Sequence, residues 1–416
     1  MVEQQVYQEC DKSKYLQTLK YYPEFLHKSL EYYFEERVKR SWKGGHILKG
    51  RTPLSHSLNF ASNDYLHISK HPQLINAQIK AMQEFGNGQM QSAVFLSDLS
   101  ELLNQCEQQF ANFIQSPASL LTQSGWAANL GVIQALAGRN VPVYLDFYTH
   151  MSFWTGVKAA GARPIPFLHN SPDSLRKRLE HHGPGLIAVD SVYSTTGTIS
   201  PLKEYIDLAK QYQCLLIVDE SHSLGTHGPM GRGLVAELGL TDQVDLITAS
   251  LAKAFSGRGG LVTGSAVLIE YLRYTSLPAI FSSALGPHDL VGFKASLEII
   301  QNEHWRREAL HVQAHYLREA LNDLGINIGQ SNSQIIPLCT GTEANTLWLR
   351  DELEKEEIFG AVFCSPATPK NKALIRLSIN AHHEQDSLNK LIHCLGRLAQ
   401  QNPGMPLFNR MTKTLY

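Results

Sequence analysis

Between Leu74 and Leu290 the chain alternates short, uninterrupted apolar runs with stretches whose apolar residues return at helical spacing. The runs are SLLTQ, PVYLDF, ARPIPFL, GLIAVD, CLLIVDE, VDLITAS and GLVTGSA. A run with no polar alternation predicts a strand covered on both faces, and helical stretches between such runs predict parallel crossovers. The pattern therefore predicts an α/β fold built on a large, doubly wound, mostly parallel sheet. Ahead of it, YYPEFLHKSLEYYFEERVKRSW has helical spacing, so residues 1–58 are read as an N-terminal helical arm. LNFASNDYL reads as a short strand opening a large domain over 59–290. From Pro287 to Leu321 one long helix-like stretch is expected, and beyond it the rhythm changes. SQIIPLC, FGAVFC and ALIRLSI read as strands, and ANTLWLRDELEKEE and DSLNKLIHCLGRLA as helices. They predict a smaller C-terminal α+β domain over 291–416, with MPLFNRMTKTLY as a tail on the surface or at a subunit contact.

Composition narrows the partners more than the fold. Basic and acidic side chains number 37 and 38, so the chain lacks the broad positive field that nucleic acid requires. The start, MVEQQVYQECDKSK, has no apolar core for a signal peptide, and no apolar run approaches the roughly 20 residues that cross a bilayer. A soluble, cytoplasmic protein with no membrane partner is expected. The cysteines Cys10, Cys106, Cys214, Cys339, Cys364 and Cys394 show no CxxC spacing, which predicts reduced thiols rather than a disulfide framework or a zinc ribbon. No HExxH occurs, and no metal site is expected.

In an open parallel sheet, ligands gather beyond the carboxyl ends of the strands. Asp219 stands there, directly after CLLIV. A carboxylate at that place suits a protonated ring nitrogen, although LLIVDE alone reads equally well as a Walker B strand. The chain has no GxxxxGK[ST] to hold a triphosphate, which removes the second reading. Lys253, in DLITASLAKAFSGRGG, follows a strand among small and apolar neighbours. Burial there would leave a free amine able to form an imine with an aldehyde, whereas most lysines are solvated surface groups. Ser250 precedes it by one turn and could reach a phosphate. Ser124, Gly125 and Trp126 open a helix whose free amides favour a phosphate dianion. His150 closes PVYLDFYTH and could lie flat on a planar ring, while His222 could bond a ring oxygen; either could instead be a satisfied interior histidine. A Ser-His-Asp hydrolase is excluded, because Asp219, Ser221 and His222 lie too close in sequence to converge and GxSxG is missing.

The ordered set NDYL, SGWAAN, DFYTHMS, YSTTGTISPL, DESHSLGTHGPMGRG, SLAKAFSGRGG, FSSALGP and IRLSINAHH resembles the α-oxoamine synthases, from about Asn59 to Leu398. These are fold-type I enzymes dependent on pyridoxal 5'-phosphate (PLP). The resemblance implies that Lys253 is the Schiff-base lysine, Asp219 the partner of the pyridine nitrogen and His150 the stacking group. It places His222 and Ser194 near the ring oxygen and Gly125, Trp126 and Ser250 at the phosphate. Ser282 or Ser283 would reach the phosphate of the neighbouring subunit in a homodimer with shared sites. Arg376 would bind an amino-acid carboxylate, with Asn63 as a second contact. The implied reaction joins an acyl-CoA to a small amino acid or derivative, with an α-oxoamine synthase of primary metabolism, an aminotransferase or a non-catalytic sensor as other readings. One stretch departs from the family: GNGQMQSAVFLSDLSELLNQCEQQF stands where most members carry Gly-Ser-Arg followed by a histidine and an LE pair. That stretch and SLAKAFSGRGG look most like the quorum-sensing autoinducer synthases, which make α-aminoketone or α-hydroxyketone precursors.

Overall fold

The computed structural model describes residues 21–96 and 100–408. Cys10, the first twenty residues of the expected arm and positions 409–416 of the expected tail lie outside the described residues. Seven strands form one sheet: β1 (Ala118–Thr122), β2 (Pro142–Asp146), β3 (Arg163–Phe167), β4 (Leu186–Asp190), β5 (Leu215–Asp219), β6 (Leu246–Ser250) and β7 (Gly260–Gly264). Each arises from one of the seven apolar runs. Their order across the sheet is β1-β7-β6-β5-β4-β2-β3. All neighbours run parallel except β7, which is antiparallel to both β1 and β6. The connection 251–259 is too short for a crossover helix, so β7 can only return antiparallel beside β6.

Burial on both faces explains the continuous apolar pattern. On one face Val143, Leu145, Leu186, Ala188, Ile217 and Leu246 pack with Ala128, Val132, Ile133, Phe153 and Val157 of the helices Gly125–Leu136 and Met151–Ala159. Ile187, Val189, Leu216, Val218 and Ile247, the alternate residues of the same strands, are equally buried. Each such side chain contributes about 1.5–3 kcal/mol when fully withdrawn from water.

By packing, the chain groups into two compact units, residues 1–59 with 339–375 and residues 60–338 with 376–416. In the first, the helix Glu24–Glu31 continues as wider π-type turns over Tyr32–Ser41. Arg37 and the Trp42 indole both bond the Glu343 carboxylate, at 2.9 and 2.8 Å, over a core of Trp42, Ile47, Leu347, Cys364 and Ala373. Leu58 and Asn59 pair in parallel with Ile358 and Phe359. A smaller three-stranded sheet has the order Ala361–Phe363, Ala373–Ser378, Ile335–Gly341. The single long helix expected from Pro287 to Leu321 is two, Pro287–Asn302 and Trp305–Asp323. The break lets Arg306 donate to Glu303 Oε2 at 2.7 Å and to the Leu66 carbonyl at 2.9 Å, capping two ends of chain with one buried guanidinium. No described helix is long and apolar enough to cross a membrane, and no disulfide joins any two of the described cysteines.

Strand register brings three polar side chains into one row. Asp190 lies opposite Asp219, and Asp219 opposite Thr248, in three adjacent parallel strands. Residues two apart share a face, so these three polar groups extend the row that includes Ala188, Ile217 and Leu246. They therefore look toward the helix Gly125–Leu136.

Candidate functional site

Asp219 ends β5 and is buried. Its Oδ1 accepts the Ser221 N–H at 2.8 Å, and its Oδ2 accepts the Asn129 amide at 2.7 Å. One donor per oxygen holds the carboxylate in place while leaving lone pairs for another partner. Asp190, opposite it, accepts the His150 N–H at 3.3 Å. Burial first, and the nearby Asp219 second, push the Asp190 carboxyl well above the usual carboxylate range. Two anions side by side are thereby avoided.

Lys253 lies in the turn after β6, which carries Ser256 at φ 51° and folds back through Gly257 N–H to the Leu251 carbonyl. The turn packs tightly: a Cβ on Gly257 would meet the Phe293 ring at 2.4 Å. Lys253 is half-buried. Burial and the positive charge of Arg376 lower its ammonium pKa, against the opposing pull of Asp219. The same neighbours recur from the other side. His150 is lowered by burial and by Lys253, with Asp219 opposing, and His222 is lowered well below its ordinary value by burial, Lys253, Arg376 and His150. Lys253, Asp219, His150, His222 and Arg376 thus form one electrostatic group, in which both histidines are neutral at physiological pH.

Hydrogen bonds orient the group. His150 caps the helix Met151–Ala159, its Nδ1 paired with Ser152 Oγ at 2.7 Å, and stands edge-on to Trp126 with ring centroids 5.9 Å apart. His222 Nδ1 pairs with the Tyr65 hydroxyl at 2.6 Å. Arg376 donates to the Ser194 carbonyl at 3.0 Å and to Asn63 Oδ1 at 2.9 Å. Tyr65 also reaches Asn63 Oδ1, at 3.3 Å, so Arg376, Asn63, Tyr65 and His222 make a continuous polar chain.

At the start of the helix Gly125–Leu136, Ser124 Oγ accepts the Ala127 N–H at 3.1 Å and its carbonyl accepts that of Ala128. The amides of Gly125 and Trp126 precede the first intrahelical bonds and are available to an anion. Gly125 is required here, because a Cβ would lie 2.6 Å from Ser250 Cβ and 2.8 Å from its Cα. The Ser250 N–H is held by Ser221 Oγ at 2.7 Å, which locks this close approach. Ser282 and Ser283 belong to another segment, where the Ser283 carbonyl accepts from Gln123 at 2.9 Å and Ser283 bridges to Ser92. The divergent stretch lies beside it: Gln91 accepts the Ala284 N–H, and Ala93–Phe95 form a 3-10 turn.

These residues fit PLP on their own chemistry. A small cradle walled by Ser250 suits a phosphate, a doubly held carboxylate suits a ring nitrogen, and a lysine with a lowered pKa suits an aldehyde. Gly125→Ala is expected to weaken PLP binding about five- to 150-fold, since overpacking of this kind costs about 1–3 kcal/mol. Absorbance titration of the apoenzyme with PLP measures it, and an unchanged affinity would remove the cradle from the phosphate site.

Asn129, Tyr65 and Asp190 were not singled out by the sequence, and Ser221 was named only in the excluded hydrolase triad. Signals existed for some of them: Asn129 falls within SGWAAN one turn after Gly125, and Asp190 closes GLIAVD as Asp219 closes CLLIVD.

Comparison with known proteins places the chain in a family. Residues 55–395 match the family described as aminotransferase class I and II. The CAI-1 autoinducer synthase of Vibrio campbellii is 44% identical over 359 residues, spanning 86% of this chain and 91% of that one. A serine palmitoyltransferase from Sphingobacterium spiritivorum is 32% identical over 347 residues, spanning 83% and 87%. Among solved structures, a serine palmitoyltransferase from S. paucimobilis with bound PLP and myriocin superposes with a TM-score of 0.79 at 27% identity, covering 83% of this chain and 88% of that one. An 8-amino-7-oxononanoate synthase from Francisella tularensis, at 23% identity and a TM-score of 0.75, shares the fold. The chain therefore belongs to the class I and II aminotransferase family, as a fold-type I, PLP-dependent enzyme of the α-oxoamine synthases.

Proposed function

We propose that this enzyme is an acyl-CoA:amino acid C-acyltransferase that joins an acyl-CoA to a small amino acid or derivative, with loss of carbon dioxide and release of CoA. The product is an α-aminoketone, or the α-hydroxyketone derived from it, as precursor of a quorum-sensing autoinducer. The observation that carries the reaction class is the grouping of a pKa-lowered Lys253 with Asp219 and Arg376. The 44% identity to a CAI-1 autoinducer synthase supports the choice of product class.

PLP, when bound, supplies an aldehyde for the amine and a ring that withdraws electrons from the α-carbon. Each protein group then has one task. Arg376, with Asn63, grips the substrate carboxylate by a planar fork of donors. Lys253 Nζ takes the α-proton and later returns one at the same carbon. Asp219 would keep the ring nitrogen protonated, and His150 would cover the ring. His222, oriented by Tyr65, and Ser194 would serve the ring oxygen. Ser124, Gly125, Trp126 and Ser250 would hold the phosphate, with Ser282 or Ser283 of the neighbouring subunit joining them in a homodimer. The α-carbon attacks the thioester carbonyl, the carbon–sulfur bond breaks, and the thiolate leaves and is protonated to CoA; the bond from the α-carbon to its carboxylate then breaks, releasing carbon dioxide, and the proton returned by Lys253 takes that position.

The test mixes holoenzyme, acyl-CoA and amino acid and follows free thiol and product mass. One thiol per ketone is expected. Amino-group transfer to a 2-oxo acid with no thiol would make the enzyme an aminotransferase instead. Conversion confined to the substrates of 8-amino-7-oxononanoate synthesis or of serine palmitoyltransferase would retain the reaction class and overturn the autoinducer product.

A further inference from the structure

Inside the sheet-facing side of the helix Gly125–Leu136 lies a polar cluster with no direct part in the proposed reaction. Asn129, Ser152 and Thr248 are all at least 98% buried. We propose that the Asn129 side chain is a shared positioning element, fixing Asp219 as an acceptor toward the ring nitrogen and, through Ser152, fixing which nitrogen of His150 carries the proton. This rests on the roles of Asp219 and His150 in the proposed function.

The orientation of the carboxamide is determined by its neighbours. Thr248 Oγ1 lies 2.6 Å from Asn129 Oδ1 and donates to it. With the oxygen turned that way, Nδ2 has two protons and two acceptors: Asp219 Oδ2 at 2.7 Å and Ser152 Oγ at 3.0 Å. Rotating the amide by half a turn would set its oxygen against the Asp219 carboxylate, two acceptors with no proton between them. Ser152, having accepted from Asn129, directs its single proton to His150 Nδ1 at 2.7 Å. His150 therefore carries its own proton on Nε2. Donors and acceptors match at each junction, from Thr248 through Asn129 to both Asp219 and His150.

The effect on the ring nitrogen has a definite sign. A hydrogen bond to a carboxylate favours its charged form. Without the Asn129 donor, the carboxylate has one bond fewer and draws the proton it shares with the ring nitrogen toward itself. The nitrogen then carries a smaller share of that proton across the neutral range. A purely structural Asn129 would lower the melting temperature without altering that share.

The experiment loads the holoenzyme with PLP labelled with nitrogen-15 in the ring and follows its chemical shift with pH in wild type, Asn129→Leu, Thr248→Val and Asp219→Asn. Asn129→Leu should show the ring nitrogen less protonated than wild type across the neutral range, by roughly ten- to hundredfold in the ratio of protonated to bare nitrogen, as expected for loss of one charge-assisted bond. Thr248→Val, which removes only the group that orients the amide, should move the same way by less. It decides the question alone if Asn129→Leu does not fold. Wild-type titration in the folded variants would overturn the proposal. Asp219→Asn separates the two levels: if it too titrates as wild type, the role of Asp219 itself is wrong, whereas a response in Asp219→Asn alone removes only Asn129.

Discussion

Alanine in place of Lys253 is expected to lower turnover at least about ten-thousandfold, because in the proposed mechanism one side chain supplies both the nucleophilic amine and the general base. Burial and Arg376 outweigh Asp219, so the folded-state pKa of Lys253 lies below its ordinary value. Two consequences can be signed. The rate should rise with pH through that lowered value, since the neutral amine is the reactive form. In the apoenzyme the unfolded chain binds this proton more tightly than the folded one, so the lysine costs stability at every pH below its unfolded value. Lys253→Ala should therefore melt no lower than wild type at neutral pH, which separates lost chemistry from lost fold. Borohydride treatment followed by peptide mass analysis should mark position 253 in wild type. A Lys253→Ala enzyme that still released thiol at the wild-type rate would end the assignment.

Arg376→Lys should raise the KM for the amino acid about ten- to hundredfold while leaving that for acyl-CoA unchanged. Charge is retained in this variant, so the loss measures geometry. The guanidinium spans the Ser194 carbonyl and Asn63 Oδ1 with separate nitrogens, and a lysine ammonium on its flexible stem cannot reproduce a planar fork. Initial-rate kinetics with each substrate varied in turn gives the comparison. Equal KM changes for both substrates would point to a distorted site, and no change for the amino acid would move its carboxylate elsewhere.

The strands were legible because both faces of the sheet are covered, which forces continuous apolar runs such as LLIV before Asp219 and LITA before Ser250. Asp219 and Lys253 stood out for the same reason, as polar residues placed just after such runs. The break at Glu303 and His304 was hidden, since the apolar spacing carries on through it and the bond from Arg306 to Leu66 that it permits joins residues far apart in the chain. Asn129 was hidden more deeply. An asparagine inside a helical pattern reads as a weak helix former, and its acceptor Asp219 and donor Thr248 lie 90 and 119 positions away along the chain. The Tyr65 pairing with His222, across 157 positions, is of the same kind. Periodicity reports which face is covered, and only the folded register reports which polar groups meet there.

The helix Gly125–Leu136 acts as a ruler. Its first turn offers amides to an anion and its next turn reaches Asp219 through Asn129, so about 6 Å of rigid rod, four residues at 1.5 Å each, separates the two grips. A ligand is gauged by length before any bond is made. If the proposed phosphate and ring-nitrogen grips hold, pyridoxal lacking the phosphate would engage one end of the scale but not both, and should bind more weakly than its phosphate ester.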